Sequence, residues 1–231
     1  LNLRGDVIFC GVVDEEFAGQ GTQTLSQHVF ADGAIVAEPT HLELIVAHKG
    51  FVWLDVETSG VAAHGSRPDL GVDAIAKMGA VLSGLEALQN ELQTRSAHPL
   101  LGHGSVHASL IQGGQEFSTY PQSCQLSIER RTLPAETAAE AQAEIEKILQ
   151  NQRHIDPNFQ AVVRSRLARV ALETPQDAQI VQVVSQSAAQ VTGQPPKLAG
   201  VAYWTDAATL WDAGIPSVLF GPSGAGAHAN E

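Results

Sequence analysis

The chain has 231 residues, of which 44% are apolar and 16% charged, and its 13 Lys+Arg against 25 Asp+Glu leave a net charge of -12. A chain of this length buries one large core or two modest ones, and its composition excludes a disordered polymer. The acidic balance argues against nucleic-acid binding, which needs a basic face, and no apolar run approaches the ~20 residues of a membrane span or follows a basic stretch as a signal segment would.

Val7–Val13 (VIFCGVV) and Ile35–Ala37 are short apolar runs of the kind expected in strands buried on both faces, with Cys10 a small core residue. Phe51–Thr58 alternates and is rich in Val, Trp and Thr, which predicts a strand. Ile75, Met78, Leu82, Leu85 and Leu92 form the stripe of an amphipathic helix. Ser105–Ile111 and Cys124–Arg131 are predicted strands, the first ended by Gly113-Gly114. Thr137 with Glu140 makes a capping box for a helix that carries Ala141, Ile145, Ile148 and Leu149, and Phe159–Val170 alternates again. Thr174, Pro175 and Asp177 read as a helix start, with Thr174 as N-cap, and that helix runs through Ile180, Val184 and Val191 to a stop at Gly193. A short helix from Asp206 to Ala213, closed by Gly214, precedes a buried strand at Ser217–Phe220.

The middle of this order is β-α-β-β-α-β, the arrangement of a ferredoxin-like sandwich, and the flanks alternate as an open α/β sheet does. The expected organisation is therefore an α/β domain in two pieces, 1–47 and 171–231, with a ferredoxin-like lid inserted at 48–170. Charge follows the same division: the flanks carry -6 and -4, while the middle holds 11 of the 13 basic residues and a net -2. Two cysteines, Cys10 and Cys124, cannot build a disulfide framework, so a reducing, cytoplasmic setting is expected.

Ligands of open α/β sheets collect beyond the carboxyl ends of the strands. Asp14-Glu15-Glu16 follows the first predicted strand, Glu38 the second, and a glycine-rich turn with His228 the last. Carboxylates and imidazole are ligands for Zn²⁺ or similar cations. Each also has a plainer reading, as solvated turn, surface loop or tail; spacing alone leaves both open, and coincidence at three strand ends is what favours a metal. Adjacent Glu15 and Glu16 suit hydrolysis, one ligating metal and the other taking a proton from water. His98, His103 and His107 read as loop residues. Glu129-Arg130-Arg131 ends a strand; Arg130 is expected to be solvated or paired with Glu129, while an arginine fork suits a ligand carboxylate.

Seven stretches, VVDEEFAGQGTQTL, AIVAEPTHL, AHGSRPDLGVDAI, IQGGQEFSTYPQSC, ERRTLPAET, WTDAATLWDAGIPSVLFGP and AHANE, together resemble the dizinc amidohydrolases that include acetylornithine deacetylase, succinyl-diaminopimelate desuccinylase, aminoacylase and glutamate carboxypeptidase. The resemblance implies Glu15 as general base, Glu16 and His228 on one zinc, and Glu38 on a second, with Co or Mn as substitutes. It implies that Arg131 holds the substrate's free carboxylate and that His64 reaches a neighbouring active site in a homodimer joined through the lid. Two features depart from the pattern. Ser118 stands where the family usually has asparagine, and the upstream His-x-Asp and bridging aspartate are not in this chain, whose only methionine is Met78. The expectation is the middle and late part of a longer amidohydrolase that cleaves N-acyl amino acids or small peptides. A peptidase or ureido-hydrolase of the same fold, or a non-catalytic dimerisation module, are the rivals.

Overall fold

The computed structural model describes residues 5–224, and its backbone falls into two compact units. One comprises Ala47–Glu173 with Ala199–Trp204; the other comprises Leu1–Val46, Thr174–Leu198 and Thr205–Glu231.

The first of these units is built on four antiparallel strands, β3 (Gly50–Ser59), β4 (Ser105–Gly113), β5 (Ser123–Thr132) and β6 (Gln160–Arg169), arranged in the order β4-β5-β3-β6. Two helices, α2 (Ala74–Thr94) and α3 (Ala138–Ile155), cover one face. This is the ferredoxin-like order expected from the alternation of periods two and 3.6. Val52, Leu54 and Val56 of β3 point inward and meet Leu126 and Ile128 of β5, Met78, Val81, Leu85 and Leu92 of α2, and Ile145 and Leu149 of α3. Ile75, expected in the α2 stripe, is instead 45% exposed, because Ala74 takes the inward position one residue earlier. Both helix starts are capped by side chains: Asp73 accepts from the Ala76 N–H at 2.9 Å, and the Thr137/Glu140 capping box is formed.

The second unit contains the short helix α1 (Gln20–Leu25), β1 (Ala34–Val36), α4 (Gln179–Thr192), α5 (Ala207–Asp212) and β9 (Ser217–Leu219). β1 runs parallel to β9, and β9 pairs antiparallel with β2 (Leu44–His48) at Ile45–Leu219. Two further short strands, β7 (Leu172–Glu173) and β8 (Leu198–Val201), pair with β2. Gly193 and Gly214, at φ 86° and 84°, close α4 and α5 in the left-handed conformation that glycine adopts without strain.

Two expectations for this unit fail. Val7–Val13 is not a strand, and its side chains lie open, Val7 at 78% and Phe9 at 96% exposure, with Cys10 exposed rather than in a core. A doubly buried strand needs neighbours for both its faces and its backbone groups, and none of the described strands pairs with this segment. Thr174 is not the cap of α4: its hydroxyl donates to the Ser217 carbonyl at 2.5 Å, a turn intervenes, and the helix starts after Ala178 without a side-chain cap.

Candidate active site

Within the second unit, the acidic turn is held rigidly by its own backbone. Asp14 sits at φ 67°, and its carbonyl accepts the N–H groups of Ala18 at 3.2 Å and Gly19 at 2.7 Å. A non-glycine residue in the left-handed region is uncommon and marks a position the surroundings over-determine. Glu15 is half-buried and Glu16 exposed on this turn. The chain then enters α1, where the Gly21 N–H donates to the Val13 carbonyl at 3.2 Å and a Cβ on Gly21 would lie 2.5 Å from that oxygen. One residue on, the buried Thr22 hydroxyl donates to Oδ2 of Asp206 at 2.6 Å.

Glu38 lies two residues beyond β1, half-buried, and its neighbour Thr40 fixes the loop: the Thr40 hydroxyl donates to the Glu43 carbonyl at 2.7 Å and accepts the Gly221 N–H at 3.0 Å. Burial pushes the Glu38 carboxyl above the usual carboxylate range, and the negative charges of Glu16 and Asp206 push it further. The structure thus brings Glu16 and Glu38 into one electrostatic neighbourhood and adds Asp206, which the sequence presented only as a helix start. The available signal was its position a few residues past a strand end, the rule that singled out Glu38. His228 lies outside the described residues.

In the ferredoxin-like unit, β5 sends its two arginines to opposite faces. Arg130, expected in solvent or on Glu129, is 1% exposed and faces the helices, where it donates to Glu144 at 2.9 Å and Glu136 at 3.0 Å. Pleating decides this: Ile128 and Arg130 share the inward face, and two carboxylates compensate the buried charge. Arg131 opposes Phe51 across the ladder on the other face, its guanidinium 5.5 Å from that ring, with Nε donating to Glu129 Oε1 at 2.7 Å. Trp53 Nε1 holds the second oxygen of Glu129 at 2.8 Å, which fixes the pair. Beside it, Lys49 donates to the His103 carbonyl at 2.5 Å; burial and the charges of Arg131 and Arg130 lower its pKa. Lys49 belongs to this cationic patch, though nothing in its sequence context singled it out.

His64 is exposed on a loop tied at Val61–Val72 and bridged to Thr119, with the Gly65 N–H donating to the Ser118 carbonyl at 2.7 Å. Its Nδ1 lies 2.8 Å from the Ser66 hydroxyl and accepts the Ser66 N–H at 3.2 Å. An N–H can only donate, so in the neutral ring the proton sits on Nε2. Of the other histidines, His98 accepts the Leu100 and Leu101 N–H groups at 3.2 Å and its Nε2 lies 3.0 Å from the Glu173 carboxylate, while His107, expected on a loop, lies within β4.

Residues 46–156 match the M20 peptidase dimerisation domain. The chain is 29% identical to an acetylornithine deacetylase of Myxococcus xanthus over 227 residues, covering 95% of this chain and 57% of that protein. It is 27% identical to the N-formyl-4-amino-5-aminomethyl-2-methylpyrimidine deformylase of Bacillus subtilis, covering 96% and 58%. Among solved structures, aminopeptidase PepT from Bacillus cereus superposes with a TM-score of 0.73 at 19% identity, covering 91% of this chain and 54% of that one. An M20 family metallo-carboxypeptidase from Sulfolobus solfataricus gives 0.65 at 14% identity, covering 91% and 61%. These matches support the M20 amidohydrolase family for this chain.

The chain spans a little over half the length of the curated relatives it matches. The matched segment runs from β3 through α3 and carries both His64 and Arg131. Glu16 and Glu38 fit a divalent cation by their chemistry, as oxygen donors near enough for one to raise the pKa of the other, a repulsion that a cation would relieve. Among the described residues no group of three or more His, Cys, Asp or Glu side chains is arranged to hold a metal, so these carboxylates make at most a partial ligand set.

Proposed function

We propose that the protein is a zinc-dependent amidohydrolase that cleaves the amide of N-acyl amino acids or small peptides with a free carboxylate. The observation that carries this reading is the match of residues 46–156 to the M20 peptidase dimerisation domain, together with the half-buried Glu38 carboxyl, which burial and the charges of Glu16 and Asp206 push above the usual carboxylate range. Glu16 with His228, and Glu38, are the ligands this chain would contribute. Bound there, a divalent cation supplies Lewis-acid polarisation of the scissile carbonyl and makes water more acidic.

The rest is done by side chains. Glu15, next in sequence to a ligand, takes a proton from the attacking water and delivers it to the amine as the C–N bond breaks, so the acyl group is released as a carboxylate. His64 presents Nε2–H, the donor needed by an oxygen that gains negative charge. Arg131, with Nε engaged by Glu129, has its two terminal nitrogens for the substrate's carboxylate. A homodimer through the lid would let one subunit's His64 serve the other's site. Two unpaired cysteines, with no described helix long and apolar enough to cross a membrane, suit a cytoplasmic enzyme.

Full-length protein with zinc should release amine from N-acyl amino acids, and Glu15→Gln should abolish turnover while leaving zinc bound. Turnover retained in that variant would remove Glu15 from the role of base. Loss of zinc together with activity would make it a ligand instead.

A further inference from the structure

We propose that the Thr22–Asp206 hydrogen bond is a positioning clasp that holds the Glu15–Glu16 turn opposite Glu38. The clasp joins residues 184 apart in sequence, and both are only 3% exposed. On one side it grips α1, whose first residue follows directly from the acidic turn. On the other it grips the residue that opens α5, a helix packed against β1 and β9. α1 cannot slide along this contact without carrying the turn with it, because Gly21 lies flush on the backbone of Val13, the residue before Asp14. Val13, Gly21, Thr22 and Asp206 therefore form one continuous path from the turn to the scaffold that carries Glu38.

Asp206 and Thr22 touch no substrate; they act through Glu16 and Glu38, as outer-shell partners of ligands do. The clasp's function rests on the metal reading above, and the experiment separates the two. Zinc affinity of the full-length protein is measured by chelator competition, and amide hydrogen exchange across α1 is followed in the metal-free protein, for wild type, Thr22→Val and Thr22→Ser. Valine keeps the shape and removes the donor; serine keeps the donor. Thr22→Val should weaken zinc binding roughly 10- to 100-fold and reduce protection of the α1 amides roughly fivefold to tenfold, while Thr22→Ser stays near wild type in both. Unchanged zinc affinity in Thr22→Val overturns the clasp, as does unchanged exchange across α1. A wild type that binds no zinc overturns the metal reading instead, and the exchange measurement still decides whether the hydrogen bond holds α1.

Discussion

The backbone of Gly221 lies against the carbonyl of Glu38, close enough that a Cβ on Gly221 would overlap it. Only a residue without a side chain lets the end of β9 approach the Glu38 loop, and the obstacle is backbone that cannot rotate away. Gly221→Ala should cost about 1–3 kcal/mol of stability in denaturant unfolding and displace Glu38. Gly79→Ala is the opposite case: the site is an exposed interior position of α2 with open space around it, so alanine should add up to about 1 kcal/mol.

Arg130 and Arg131 are adjacent yet should fail in different assays. Arg130→Ala strips a buried cation from Glu136 and Glu144, and should cost about 3 kcal/mol in thermal or urea unfolding. The lower end of the range applies because Glu144 keeps its bond to Arg95. Arg131 is 29% exposed, and its loss should change stability by under about 1 kcal/mol. Arg131→Ala should instead lower kcat/KM on the order of 100-fold for substrates with a free carboxylate, and little for their amides. An Arg131→Ala enzyme indifferent to that carboxylate would remove its role.

The pairing of Lys77 with Asp156 links α2 to the end of α3 at 2.5 Å and makes part of the ferredoxin-like unit's stability acid-sensitive. The Lys77 ammonium, and then the Asn158 N–H, hold the Asp156 carboxyl below the usual carboxylate range. A depressed acid stabilises the fold above its unfolded value, near pH 4, and that contribution disappears as pH falls through its lower folded value. Wild type should therefore be more stable than Lys77→Met at neutral pH, with the two converging in acid; a constant difference in unfolding midpoints from neutral pH to about pH 2 would refute the assignment.

His64 gives a spectroscopic prediction. Nitrogen-15 spectra of histidine-labelled protein, taken well above the ordinary histidine range, should show a protonated, pyrrole-like Nε2 and an unprotonated Nδ1. Ser66→Ala keeps the backbone donor and should keep the tautomer. The reverse pattern would mean that Ser66 does not orient the ring.

Sequence patterns carried the ferredoxin-like unit almost completely, because its elements are long, periodic and locally punctuated. The Thr137/Glu140 box, the alternation of β3 and the Met78–Leu92 stripe are decided by contacts a few residues away or by one buried face. What the pattern missed depended on distant partners. VIFCGVV has the composition of a buried strand, but composition does not supply the neighbouring strands. Thr174 has the chemistry of a cap, yet a carbonyl 43 residues away takes its hydroxyl. The same limit hid Asp206, whose hydrogen-bond partner Thr22 lies 184 residues away, whereas Glu38 was marked as a candidate by its place after a strand.

The opposed arginines of β5 also protect the ferredoxin-like unit against mispairing. A slip of β5 by one residue against β3 would turn Arg130 outward and push Arg131 in among the helices. Arg131 would then enter one position away from the site where Glu136 and Glu144 now receive Arg130, and Arg130 would meet solvent in place of Phe51 and Glu129. The shifted sheet loses both the buried ion pairs of Arg130 and the Arg131 contacts with Phe51 and Glu129 in a single step. The buried arginine thus works as a proofreading mark for strand alignment, and the alignment it enforces is the one that leaves Arg131 facing outward.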